Sequence, residues 1–190
     1  MKRLLLILGL FFYMGLMLNA QTIMQPQIPA SFSIKGTSTL HDWEMKGTQI
    51  FGSLNVTNEG GTLKKINSAS IRIPIATLKS DKTTLDNKAY EALNKDKFPN
   101  ITFETTDVTM TASGKPDVWL CKSNGTITVN GTPKKKAISG SLKKLADGRF
   151  QVMLSVYLTM TEFGVKPPVM FLGSIKTADA VNINFELFFK

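Results

Sequence analysis

The sequence predicts an all-β fold, a single antiparallel β-barrel of about eight strands with one short helix inserted. Three observations lead there. Apolar and polar residues alternate in run after run, the period of a strand that shows one face to an apolar interior. Glycine-bearing turn dipeptides fall between those runs, as a meander of hairpins requires. A helical period interrupts the pattern in one short segment.

The longest run sets Phe150, Val152, Leu154, Val156, Leu158 and Met160 against Gln151, Met153, Ser155, Tyr157 and Thr159 without a break in register. A second run, Val181, Ile183, Phe185, Leu187 and Phe189, closes the fold at the C-terminus. Shorter alternations mark strands at Phe32 and Ile34, at Trp43 and Met45, at Ile50 to Val56, at Ile71 to Ile75, at Ile101 and Phe103, and at Ile127 and Val129. Turns are expected at Glu59-Gly60-Gly61, Ser113-Gly114, Asn124-Gly125, Asn130-Gly131 and Asp147-Gly148. Leu85, Ala89 and Leu93 recur every four residues, which predicts a helix over 82–94 with Asp81 as its N-cap and Phe98-Pro99 beyond its end. The stretch Gly164 to Asp179 reads as a long loop, because Pro167-Pro168 is incompatible with a central strand.

At 190 residues the chain is one domain with room for a substantial core. Lys2 and Arg3 precede an apolar run from Leu4 to Leu18, and Asn19-Ala20 then gives way to Gln21. That order predicts a signal peptide over residues 1–20, cleaved after Ala20, and a periplasmic or secreted domain over 21–190. The apolar run is shorter than the ~20 residues of a spanning helix. Cys121 is the only cysteine, so no intramolecular disulfide forms; within Val118-Trp119-Leu120-Cys121 it reads as a buried, inert thiol.

The formal net charge of +9 falls to about +7 once Lys2 and Arg3 are removed. Nucleic acid is not the implied partner: the lysines are scattered or sit at turns, as in Lys134-Lys135-Lys136 and Lys143-Lys144, without interleaved aromatics. A weak contact with anionic membrane surfaces is compatible with this charge. Catalysis lacks a constellation. His41 is the sole histidine, its neighbour Asp42 points to the opposite face of an extended strand, and no nucleophile elbow occurs. One histidine and one cysteine make no zinc site, no acidic run has EF-hand spacing, and no glycine pattern cradles phosphate, so neither metal nor cofactor is expected. An outer-membrane barrel is the rival reading, since Phe185-Glu186-Leu187-Phe188-Phe189 ends the chain in an aromatic strand. Most runs are too short for a spanning strand.

Three stretches resemble the YceI-like family of polyisoprenoid-binding, lipocalin-like periplasmic proteins. They are Lys97-Phe98-Pro99-Asn100-Ile101-Thr102-Phe103, then Gly125-Thr126-Ile127-Thr128-Val129-Asn130-Gly131-Thr132-Pro133-Lys134, and Leu158 through Phe163-Gly164-Val165-Lys166-Pro167-Pro168. The N-terminal stretch Gly36-Thr37-Ser38-Thr39-Leu40-His41-Asp42-Trp43-Glu44 departs from the family's better-known pattern, which bears on ligand identity rather than fold. The leader and the turn-rich β pattern point to a monomer or homodimer; the resemblance implies a barrel around an elongated apolar cavity, no known catalytic machinery, and an isoprenoid-like lipid as partner. Combined with the alternation, it places the ligand against Val152, Leu154, Val156, Leu158, Ile183 and Phe185, with Ile73, Phe103 and Ile127 opposite, and Met170 and Phe171 at the entrance. Two readings compete with it: an interior filled by side chains, and a stress-related structural barrel with no lipid-carrier role.

Overall fold

The computed structural model describes residues 20–59 and 62–190; the expected signal peptide, apart from Ala20, and the turn glycines Gly60 and Gly61 lie outside it. Among the described residues twelve strands form: β1 (Ala20–Met24), β2 (Ser31–Ser38), β3 (Trp43–Gly47), β4 (Phe51–Glu59), β5 (Thr62–Pro74), β6 (Asn100–Thr105), β7 (Val108–Ala112), β8 (Val118–Val129), β9 (Thr132–Lys144), β10 (Phe150–Thr159), β11 (Val169–Met170) and β12 (Ile175–Phe189). They curl into one antiparallel sheet in the order β1-β4-β5-β6-β8-β9-β10-β12-β2-β3, with β7 on β8 and β11 on β12. Past β1 the chain crosses to the other side of the curl. Gln25 and Lys190 exchange backbone hydrogen bonds of 2.9 and 3.1 Å, and Gln27 N–H donates to Phe188 O at 2.7 Å, so this segment joins β4's neighbour to the end of β12.

Each of the eight alternating runs is a strand, and the inward rows meet in register. Ile71, Phe103 and Ile127 line up across β5, β6 and β8, while Val156, Ile183, Ile34 and Met45 line up across β10, β12, β2 and β3. The Phe32 and Phe185 rings stack with centroids 5.3 Å apart, within the usual range for an aromatic pair. Asn130 and Gly131, at φ 50° and 70°, make the two-residue turn between β8 and β9 that an Asn-Gly pair favours.

Four strands were not anticipated, and their sequences say why. β9 carries Lys134-Lys135-Lys136 and Lys143-Lys144 along its length, so these lysines are strand residues and not turn residues. Its twelve-rung ladder with β8, from Val118↔Lys143 to Val129↔Thr132, overrides the missing alternation. The expected Asn124-Gly125 turn is likewise mid-strand in β8. Gly125 is there because a Cβ would sit 2.2 Å from a Phe103 ring carbon, so the residue makes room for the aromatic rather than bending the chain. The predicted 164–179 loop is shorter than expected: β12 begins at Ile175, and β11 pairs through Val169↔Lys176 and Met170↔Ile175 just after Pro168. β1 and β7 are short strands paired on one side each.

The helix, α1, spans Thr83–Ala92. Its N-cap is Lys82, not Asp81, and the cap carries no side-chain hydrogen bond. Asp86 anchors the helix start instead. Its Oδ1 accepts from Ser80 N at 2.7 Å and Ser80 Oγ at 2.8 Å, and Lys79 Nζ stands 3.5 Å from Oδ2. A carboxylate in the first turn is also favoured by the helix dipole. At the opposite side of the sheet the β9–β10 ladder stops at Gly140↔Leu154, and the two strands part. Beyond that point the 3-10 turn Thr161–Phe163 fills the gap. Lys136 pairs there with Glu162, and Asn130 Nδ2 donates to Phe163 O and Gly164 O at 3.4 Å.

Candidate functional site

The inward faces leave space. A cavity of about 190 Å³ runs between β2, β4, β5, β6, β8, β9, β10 and β12, and a smaller one of about 110 Å³ lies under α1 and the turn after β10. Ile34, Ile101, Val129, Leu158 and Ile183 line both, so a single layer of aliphatic side chains separates them. For scale, an engineered apolar cavity of about 150 Å³ admits benzene and stays dry. The interior is therefore hollow and not a filled core.

Nine of the residues expected at a ligand line the larger cavity: Ile73, Phe103, Ile127, Val152, Leu154, Val156, Leu158, Ile183 and Phe185. Met170 does not reach it; it is half-buried beside β12 and borders neither cavity. Phe171 belongs to the 3-10 turn Phe171–Gly173, and its side chain lies outside the described residues. Pro168 and Thr177, on either side of this segment, line the smaller cavity.

Sequence reasoning missed two parts of the wall. Leu142, 2% exposed, belongs to β9, whose lysines hid the strand. Leu85 and Ala89 of α1, with Leu93 at its C-cap, form one side of the smaller cavity opposite Trp43 and Met45. Their four-residue period was visible, but a helix closing a barrel is a tertiary fact that no local period encodes.

Two polar groups of the larger cavity, Thr105 and Ser123, are hydrogen-bonded. Thr105 Oγ1 lies 2.9 Å from Asn124 O, accepts from Asp107 N at 3.0 Å, and accepts from Ser123 Oγ at 3.1 Å. Burial pushes the Cys121 thiol up to about 11, so it is neutral at physiological pH and a poor nucleophile. His41 is exposed on the β2–β3 turn, with Nδ1 2.7 Å from Asp42 O, away from both cavities. Among the described residues no group of three His, Cys, Asp or Glu is placed to hold a metal. At the seam between β9 and β10, burial alone would raise the Glu162 carboxyl. The hydrogen bond from Lys136 and that from Thr159 N outweigh it and hold the group below its ordinary value.

The architecture defines the class: a hollow, lipocalin-like antiparallel barrel whose strands turn aliphatic and aromatic side chains onto a shared apolar cavity. The chain belongs to the YceI-like domain family, whose sequence pattern matches residues 22–189. Similar solved structures include a polyisoprenoid binding domain from Saccharophagus degradans implicated in plant cell wall breakdown, with a TM-score of 0.67, 10% identity, and coverage of 88% of this chain and 97% of that one. BcnA of Burkholderia cenocepacia superposes with a TM-score of 0.65 at 13% identity, over 84% and 95% of the two chains. The YceI protein of Campylobacter jejuni follows at 0.55 and 17%, over 76% and 82%. At such identities the likeness is one of fold. No curated protein sequence matches the chain.

Proposed function

We propose that this protein is a non-catalytic carrier of an elongated, isoprenoid-like apolar lipid, held inside the barrel and working in the cell envelope. The observation that carries the reading is the pair of adjoining apolar cavities, lined by residues of nearly every strand and divided by aliphatic side chains alone. Withdrawing a hydrocarbon chain from water gains roughly 25 cal/mol per Å², so such a space binds tightly without a charged contact. The polyisoprenoid binding domain among the similar structures supports the ligand class. The direction of polarity supports a water-exposed exterior: Val152, Leu154, Val156 and Leu158 face the cavity while Met153, Ser155 and Tyr157 face out, the reverse of a membrane-spanning barrel with a polar lumen. Export rests on the Lys2-Arg3 and Leu4–Leu18 leader.

Native mass spectrometry of protein purified from a membrane-containing extract tests the ligand, with organic extraction to identify what is released. Co-purifying prenyl lipid, or binding of an added polyprenol with one molecule per chain, is the expected result. Protein that carries no lipid and takes up no polyprenol refutes the carrier role and leaves the structural-barrel reading. Fractionation with N-terminal sequencing tests the leader, a start near Gln21 in the soluble envelope fraction being expected.

A further inference from the structure

We propose that one end of the barrel, formed by the Ser38–His41 turn and the hairpin of β11 and β12, docks onto a lipid bilayer bearing anionic headgroups. The two segments are fastened side by side. Thr39 N–H donates to Lys176 O at 3.0 Å, Thr39 Oγ1 donates to Ser174 O at 3.3 Å, and Lys176 N–H donates to Thr39 Oγ1 at 3.1 Å. Their tips present three large aliphatic side chains to water: Leu40 at 64% exposure, Val169 at 57% and Leu172 at 110%.

Leu172 is the telling residue. It sits in the left-handed region at φ 54°, ψ 32°, where a side chain other than Gly, Asn or Asp is disfavoured by roughly 1–2 kcal/mol. In water it has neither a conformational nor a solvation reason to be leucine. Insertion of the tip into an apolar medium supplies one, since such a side chain gains on leaving water. The charges around the tip fit a membrane surface. Lys166 and Lys176 are both exposed, Lys176 stands across the ladder from Val169, and no acidic residue lies between Gly164 and Lys176. Asp42, beside His41, is the carboxylate nearest in sequence to Leu40 and partly offsets them. Aliphatic tips flanked by lysine are the arrangement that anionic lipid favours.

The same end holds the smaller cavity. Pro168 and Thr177, at the foot of the hairpin, are part of its wall, and that cavity adjoins the larger one. Docking would therefore bring an apolar route to the acyl region of the bilayer. This use of the surface rests on the lipid-carrier reading; the docking itself is measured without any isoprenoid.

The test uses the purified mature protein, residues 21–190, and sedimentation with vesicles of phosphatidylcholine containing about one third phosphatidylglycerol, or of phosphatidylcholine alone. The protein is expected to bind the anionic vesicles, more weakly at high salt. Leu172→Asn, which suits the left-handed backbone and so keeps the fold, is expected to weaken the partition about tenfold. The pair Leu40→Ser and Val169→Thr weakens it likewise, and Lys166→Gln with Lys176→Gln removes the preference for anionic vesicles. Leu120→Ser, an exposed leucine on β8, leaves binding unchanged. Equal binding by wild type and Leu172→Asn overturns the proposal. So does a loss confined to self-association, which would make this end an interface between copies of the chain. Polyprenol binding is measured in vesicle-free solution in parallel: wild type that docks but binds no polyprenol refutes the carrier role alone, and the converse refutes docking alone.

Discussion

Replacing Val156 by tryptophan asks whether the space inside the barrel is real and occupied. Val156 is 8% exposed, faces the larger cavity, and lies on β10 just past the point where β9 leaves it. A void of about 190 Å³ corresponds, at roughly 24 cal/mol per Å³, to about 4–5 kcal/mol of unrealised packing. An indole that fills about half of it recovers ~2 kcal/mol, against the ~1–3 kcal/mol that forcing a larger side chain into a packed wall costs. The two nearly cancel. Val156→Trp is expected to change the unfolding free energy by no more than about 1 kcal/mol, with an unaltered urea m-value. Polyprenol affinity, followed by a fluorescence titration, falls at least tenfold because ligand and indole need the same volume. A loss of stability beyond about 3 kcal/mol without ligand would mean that no void exists beside Val156. Wild-type affinity in a folded variant would place the ligand elsewhere.

Cys121 supplies a reporter for the same space. Its thiol is neutral at pH 7, so alkylation is expected to be slow and to quicken as pH rises toward 11. Bound polyprenol is expected to slow it further, while Cys121→Ser and His41→Ala each keep ligand affinity within about twofold. Asp86→Asn tests the anchor of α1. Burial of Asp86 alone would raise its pKa, but hydrogen bonds from Ser80 and the charge of Lys79 hold it below the ordinary value. The folded pKa is the lower one, so the carboxylate's contribution is complete above the unfolded value near 4 and is lost as pH falls through the folded pKa. Asp86→Asn is expected to cost about 1–2 kcal/mol at pH 7 and progressively less as pH falls below the unfolded value, measured by urea unfolding at each pH.

The eight alternating runs and the inward identity of nine cavity residues were legible because a strand with one buried face writes its burial into a two-residue period. Leu142 was not, because β9 takes its place from β8's backbone and needs no apolar rhythm of its own. Gly125 misled in the opposite direction. Asn-Gly is the strongest short turn signal, yet here the glycine answers to the Phe103 ring, two strands meeting at a distance the local sequence does not contain. Leu93 and its partners carried a helical period that revealed the element and concealed its role. The emptiness itself was beyond reach, for a sequence states which side chains face inward but not whether they meet.

The parting of β9 and β10 below Gly140 and Leu154 sets the mechanics of the wall. Along most of the circumference, spreading two neighbouring strands means breaking ladder hydrogen bonds in succession, a stiff deformation. Along this line the connections are the Lys136–Glu162 ion pair and the reach of Asn130 to Phe163 and Gly164, which are side-chain contacts. The cylinder is thus slit rather than sealed, with one stave joint here and another where β1 and β3, the two ends of the strand order, share no ladder. Flexing such a joint changes the girth without breaking the ladders on either side of it.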